Sequence, residues 1–520
     1  MKTHHSHRLL MGLILSFSTV SLMGQADSTF IPYYKYRVSL KDKKNSEFST
    51  RHPEAFLSQK AIERRKRQHI RIDRTDLPVN RSYISAIEGT GAKVILTSKW
   101  NNTVVVSTAD TSIIDRIREL ACVTDVRKVA TYTKPRAVSD TDRHSLIDRA
   151  DLSKEAETDK ETVPEKPDTI IMNPDGQLTM EQFQNMVSFI NRHFNNKKSN
   201  QSADDIIQIN NGYYGNGRQQ IEQLNGTALH SAGFDGKGMV IAIIDGGFYN
   251  ADIIPGLKNT RILGTKDFVE PGSDIYNAQS HGMMVLSCIG SNVPDSFVGT
   301  APNASFWRLR SEDGDSEQLI EEDNWAAAIE YADSVGADVV NTSLGYSSFD
   351  NHADDVQYYE LDGRTHLISI SASMCADKGM ILVNSAGNSG NDRWKLITPP
   401  ADAINTLTVG AINAHGQNTL FSSLGLASDG RIKPDVAAMG EAACVYDVDG
   451  SLVTANGTSF SSPITCGMTA CLWQALPNLT AKQIMDIIRK SGSMAEHPNS
   501  VYGYGIPDFF KAYSLGLTIQ

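Results

Sequence analysis

Two hydrophobic patterns divide the chain. Between residues 30 and 133, short apolar stretches alternate with turns and amphipathic segments. Beyond residue 206 the apolar stretches become continuous. In the first part, residues 36–40, 93–96, 103–107 and 123–129 read as strands. Residues 53–68 read as a helix with apolar Ala55, Phe56, Ala61 and Ile62. Residues 111–120 read as another, with Ile113, Ile114, Ile117 and Leu120 on one face. The order β-α-β-β-α-β predicts a small ferredoxin-like (α+β) unit. In the second part, residues 239–244, 337–340, 379–383 and 406–410 are apolar runs, two of which follow helical stretches. Strands of that kind are buried on both faces of a parallel sheet, which predicts an α/β body. In such sheets sites form at the carboxyl ends of the strands.

The flanking segments read differently. Residues 1–24 have a basic start at Lys2 and Arg8, an apolar run over 9–17 and small residues Gly24 and Ala26 near its end. That is the pattern of a secretory signal peptide, too short and interrupted for a membrane span. It predicts a secreted or periplasmic protein with no stable membrane span after cleavage. Residues 136–205 read as an acidic linker or insert, with a short amphipathic helix over 179–194 through Phe183, Met186, Val187 and Ile190. The domain layout is therefore 1–24, 27–135, 136–205 and 206–520. Cys122, Cys288, Cys375, Cys444, Cys466 and Cys471 form no C-x-x-C pair and no zinc spacing. They read mostly as small buried hydrophobes.

Charge sharpens this division. The whole chain carries a net −11, which argues against a nucleic-acid binder working through bulk charge. Residues 27–145 carry a net +9 and residues 206–520 a net −17. Two such pieces attract each other if they dock. The basic run Arg64-Arg65-Lys66-Arg67 reads as a solvated helix end or a charged docking face.

Three segments carry candidate chemistry. Ile244-Asp245-Gly246-Gly247 places an acid at a strand end. Ser280-His281-Gly282-Met283-Met284 holds a histidine. Asn456-Gly457-Thr458-Ser459-Phe460-Ser461-Ser462-Pro463 holds a serine that opens a helix, with Pro463 expected in the first turn. Their chain order, Asp then His then Ser, is that of subtilisin. On these segments, residues 206–515 resemble the subtilisin-like serine proteases. Asn341-Thr342-Ser343-Leu344-Gly345 resembles the family's substrate-binding strand, and Val383-Asn384-Ser385-Ala386-Gly387-Asn388 the segment with its oxyanion-hole Asn.

The resemblance implies Ser459 as nucleophile, His281 as general base and acid, and Asp245 as the residue that orients the imidazole. It implies Asn388 as oxyanion donor and Ser343, Leu344 and Gly345 as an edge on which a peptide adds as a strand. It further implies that residues 27–135 form a propeptide that inhibits the enzyme in cis, with protein or peptide substrates as the other partners. No metal ligand is assigned and no cofactor is required. Structural calcium is common in the family, but no loop here identifies a site. This chain has Gly246 where the family usually has Ser or Thr, Met283-Met284 where it has Thr-His, and no Pro after Gly425. The alternatives are a peptide-binding scaffold without catalysis and another serine hydrolase such as an esterase. Position 461 is Ser, so Ser459 lacks a Gly-x-Ser-x-Gly elbow, which argues against the esterase.

Overall fold

Two sheets organise the chain, one antiparallel and one parallel, as the two hydrophobic patterns require. The computed structural model describes residues 31–133 and 212–519. The expected signal peptide, linker and 179–194 helix lie outside the described residues.

The N-terminal unit has strands β1 (Tyr33–Leu40), β2 (Lys93–Ser98), β3 (Thr103–Thr108) and β4 (Val123–Tyr132). They pair antiparallel in the order β2-β3-β1-β4. Its helices are α1 (Gln59–Arg67), α2 (Arg81–Glu88) and α3 (Ile113–Arg118). The expected 53–68 helix is in fact a 3-10 turn, Pro53–Ala55, followed by α1, which Ser58 caps through the Ala61 amide at 3.2 Å. The side-chain cap at Ser58 restarts the chain as a separate helix. The sheet's own core is built from Val38, Val104, Val106, Ile113, Ile114 and Ile117, with Ile87 from α2. So α2, which the sequence pattern did not reveal, supplies a ferredoxin-type helix. α1 contributes nothing to that core and packs outward.

In the C-terminal body, β5 (Val240–Asp245) is followed by β6 (Arg261–Asp267), the two-residue pair β7 (Asn292–Val293) and β8 (Phe297–Val298), and β9 (Ser305–Arg310). Then come β10 (Val339–Thr342), β11 (Ile381–Ser385), β12 (Leu407–Ile412), β13 (Val436–Met439) and a hairpin of β14 (Ala443–Tyr446) and β15 (Leu452–Ala455). Seven of these form a parallel sheet in the order β13-β12-β11-β10-β5-β9-β6. Every residue of β5, β10, β11, β12 and β13 is buried. The helices are α4 (Arg218–Glu222), α5 (Gly226–Ser231), α6 (His281–Gly290), α7 (Ile320–Val335), α8 (Leu367–Met374), α9 (Thr458–Ala475), α10 (Ala481–Ser491) and α11 (Phe509–Leu517). One face of the sheet packs on a core with α6, α9, α10 and α11, the other on a core with α7 and α8. β5 sits where the strand order reverses between β9 and β10, and its carboxyl end is the crevice such sheets offer a ligand.

The N-terminal unit docks on α7. Arg37 of β1 makes a two-pronged ion pair with Asp323, both contacts at 2.7 Å. Glu330 accepts from the Lys99 and Trp100 amides at 2.7 and 2.9 Å. Outward-facing α1 completes the contact. Arg64 pairs with Asp333, Arg65 bridges Asp333 at 2.8 Å and Asp76 at 2.9 Å, and Lys99 reaches Asp333 at 3.3 Å. Lys378 answers Asp76 from the other side at 3.1 Å. Arg64 and Arg65 are each 1 % exposed, so half of the basic run is the docking face and is not solvated. Gln68 extends the grip, donating to Gly379 O and accepting from the Ala481 amide, both at 2.8 Å.

Candidate active site

Asp245 ends β5 and is buried. Its Oδ1 accepts from the Gly246 amide at 2.8 Å and lies 2.9 Å from Nδ1 of His281, the first residue of α6. The start of α6 is seated by Gly282, whose amide donates to Gly247 O at 3.0 Å. A methyl group on Gly282 would stand 2.4 Å from that same oxygen, so only glycine lets the histidine approach the strand end. With Nδ1 committed to Asp245, Nε2 is the nitrogen left for a reaction. The His281 ring lies 6.1 Å, centroid to centroid, from that of Phe460, the residue after Ser459. The end of β5 and the start of α9 therefore converge.

Ser459 is the second residue of α9. Pro463 falls in the second turn, not the first as the sequence suggested. Its missing N–H would have bonded the Ser459 carbonyl four residues back. That freed carbonyl accepts from Ser343 Oγ at 2.9 Å, while Ser459 Oγ donates to Ser343 O at 3.4 Å. Asn341 Nδ2 donates to Ser343 Oγ at 3.0 Å, and Ser462 Oγ donates to Asn341 Oδ1 at 2.9 Å. The proline thus leaves an acceptor that ties the serine helix to the segment beyond β10. Of this link, Asn341 and Ser462 were given no role from the sequence, because the partners lie more than 100 residues apart.

Asn388 follows β11. Its Oδ1 accepts from the Thr458 amide at 2.8 Å and Thr458 Oγ1 at 2.9 Å, which leaves Nδ2 as the free donor end. The Ser459 amide, in the first turn of α9, donates to no acceptor among the described residues. Ser343 and Leu344 are buried and Gly345 is exposed, just past the last ladder pair at Thr342. None of their three amides donates to a protein acceptor among the described residues. The seven sequence-selected positions, five of them polar, therefore gather at one end of the parallel sheet.

Electrostatics follow from burial. For His281, burial disfavours the charged ring, but the Asp245 carboxylate and its hydrogen bond, with Glu312 nearby, outweigh it and lift the pKa to about 9. All six cysteines are buried and unpaired. Burial raises the Cys288 and Cys466 thiols far above the usual value, so they are inert at neutral pH.

The sequence profile described as the subtilase family matches residues 236–505, just over half of the chain. The chain is a subtilase, a serine-type endopeptidase. A second profile, the peptidase S8 propeptide domain of Bacteroidota, matches residues 35–144. Subtilisin NAT of Bacillus subtilis subsp. natto is 28 % identical over 290 residues, covering 55 % of this chain and 68 % of its own. Subtilisin of Bacillus pumilus is 28 % identical over 289 residues, covering 55 % of this chain and 94 % of its own. Among solved structures, MycP1 with its N-terminal propeptide removed aligns over 57 % of this chain and 96 % of its own, at 24 % identity and a TM-score of 0.45. The fold class read from the sequence, a parallel-sheet subtilisin-like domain after a small α+β propeptide domain, is the one found. This subtilase fills its departures from the family pattern with packing. Met283 joins the core, and the space a side chain on Gly246 would occupy is taken by Gln279 and Glu312.

Proposed function

We infer that this subtilase cleaves peptide bonds through Asp245, His281 and Ser459 and is made as a self-inhibited zymogen. The observation that carries the reading is the Asp245–His281 Nδ1 bond beside the start of the Ser459 helix. Ser459 Oγ attacks the scissile carbonyl as His281 Nε2 takes its proton. The tetrahedral oxyanion is met by Asn388 Nδ2 and the Ser459 amide, donors that no group among the described residues occupies. The imidazolium, held by Asp245, returns the proton to the leaving amine. Water then repeats the sequence in reverse to release the acyl group. The substrate backbone extends along Ser343, Leu344 and Gly345, whose amides have no acceptor among the described residues. Neither a metal nor a cofactor enters any step.

The propeptide docked on α7 supports self-inhibition. Thr131, near the end of β4, donates to Gln318 Oε1 at 2.7 Å, in the loop that leads from β9 to α7. That places the end of β4 beside the loop that follows β9. The signal-like residues 1–24 support export to the medium or periplasm, and no described helix is long and apolar enough to cross a membrane.

A fluorophosphonate probe followed by a casein assay tests the reaction. Labelling at Ser459 with casein cleavage supports the reading. Absence of both indicates a peptide-binding scaffold, and labelling with ester but no peptide hydrolysis indicates an esterase.

A further inference from the structure

The residue after the catalytic acid is Gly246, and two side chains converge on it. A methyl group there would stand 2.3 Å from Gln279 Oε1 and 3.4 Å from Glu312 Oε2. Gln279 precedes His281 by two residues, and its amide lies between the backbones of Gly246 and Gly314; a methyl on Gly314 would meet its Nε2. Glu312 arrives from the other side. β9 pairs with β5 so that Arg310 is opposite Asp245, and the Ser311 amide donates to Asp245 O at 3.0 Å. That register sets Glu312 one residue further on, beside the acid–histidine pair. Asp245 spends one oxygen on both Gly246 N and His281, while its Oδ2 is buried with no donor among the described residues. The nearby guanidinium of Arg310 is engaged by Gly246 O and Asp267.

We propose that Glu312 is a positioning residue that works through Asp245 and His281, occupying the place beside the acid and favouring the protonated imidazole. The groups facing it are Asp245 from β5, His281 from α6, Tyr346 from beyond β10, and Glu317 and Glu321 from its own loop and α7. Burial and the Asp245 charge push its carboxyl well above the usual carboxylate range, while the His281 charge opposes that rise. A second carboxylate in the field of the pair stabilises the imidazolium formed when Ser459 gives up its proton. It also holds the resting histidine protonated to higher pH.

This inference rests on the triad reading, and the test separates the two. Full-length Glu312→Gln, Glu312→Asp and Glu312→Ser proteins are allowed to mature, and kcat/KM for a peptide substrate is followed against pH. Glu312→Gln and Glu312→Ser should shift the acidic limb to lower pH by about one unit, because a negative charge that favours the imidazolium has left the field. Glu312→Asp should restore the limb toward that of the parent. A lower plateau with an unmoved midpoint in the folded variants would overturn the inference and leave Glu312 as packing only. Ser459→Ala is run in parallel. Peptide hydrolysis that persists there removes the triad reading itself, whatever Glu312 does.

Discussion

At the scale of single residues the account stands on three atoms: His281 Nε2, Ser459 Oγ and Asn388 Nδ2. Changing Ser459 or His281 to Ala should each lower kcat about 10⁶-fold, the size such changes have in subtilisin, and changing both should cost little more. Steady-state hydrolysis of a peptide anilide reads this directly. Asn388→Leu keeps the volume and removes the donor; kcat should fall ~10²–10³-fold with KM nearly unchanged, because the bond forms in the transition state. A rise in KM at constant kcat would instead place Asn388 in ground-state binding. The pH dependence has a definite sign. Attack requires the neutral imidazole, and Asp245 together with Glu312 raises the His281 pKa to about 9 against burial. The rate should therefore be lost as pH falls through a value above 6.5, the ordinary histidine value, giving an alkaline optimum.

At the scale of elements, α9 and α1 each hold a consequence. In α9 the Pro463 gap leaves the Ser459 carbonyl to Ser343 Oγ, so Ser343→Ala strands a buried acceptor and should destabilise the fold by about 1–3 kcal/mol. Thermal unfolding of the Ser459→Ala background, which cannot digest itself, measures this free of autolysis. In α1, Arg64 and Arg65 are sealed against Asp333. Removing Asp333 leaves the buried Arg64 without its ion pair and Arg65 with Asp76 alone, a loss on the order of 3–5 kcal/mol. Inhibition of the mature enzyme by residues 27–135 in trans should weaken by ~10²-fold or more in Asp333→Asn, and an unchanged inhibition constant would show that α1 does not hold the propeptide. Much at this scale was legible in the sequence. The parallel strands announced themselves because residues buried on both faces leave unbroken apolar runs, and Asp245, His281, Ser459 and Asn388 each sit in a local motif. The rest was not legible for physical reasons. α2 is eight residues long, too short for a clear period. Arg64 and Arg65 look solvated until Asp333, nearly 270 residues away, is brought to them. Gln279 and Glu312 carry no motif, and only the β5–β9 register joins them to the acid.

At the scale of the whole molecule, two domains of opposite charge form a closed pair. The propeptide grips both α7 and, through Gln68, the junction at Gly379 and Ala481. Charge should govern how fast such a pair meets more than how tightly it holds, so the onset of inhibition in trans should slow as salt rises from low to several tenths molar. The covalent link between the domains runs through residues 134–205. The central claim, that Ser459 drives a peptidase made with its own inhibitor, is tested most directly by intact mass and N-terminal sequencing of the wild-type and Ser459→Ala proteins expressed side by side. The wild-type chain should be found cut within 134–205 and the Ser459→Ala chain should keep its propeptide covalently attached. The same cut in the Ser459→Ala chain, or no cut in an active wild type, would contradict the account.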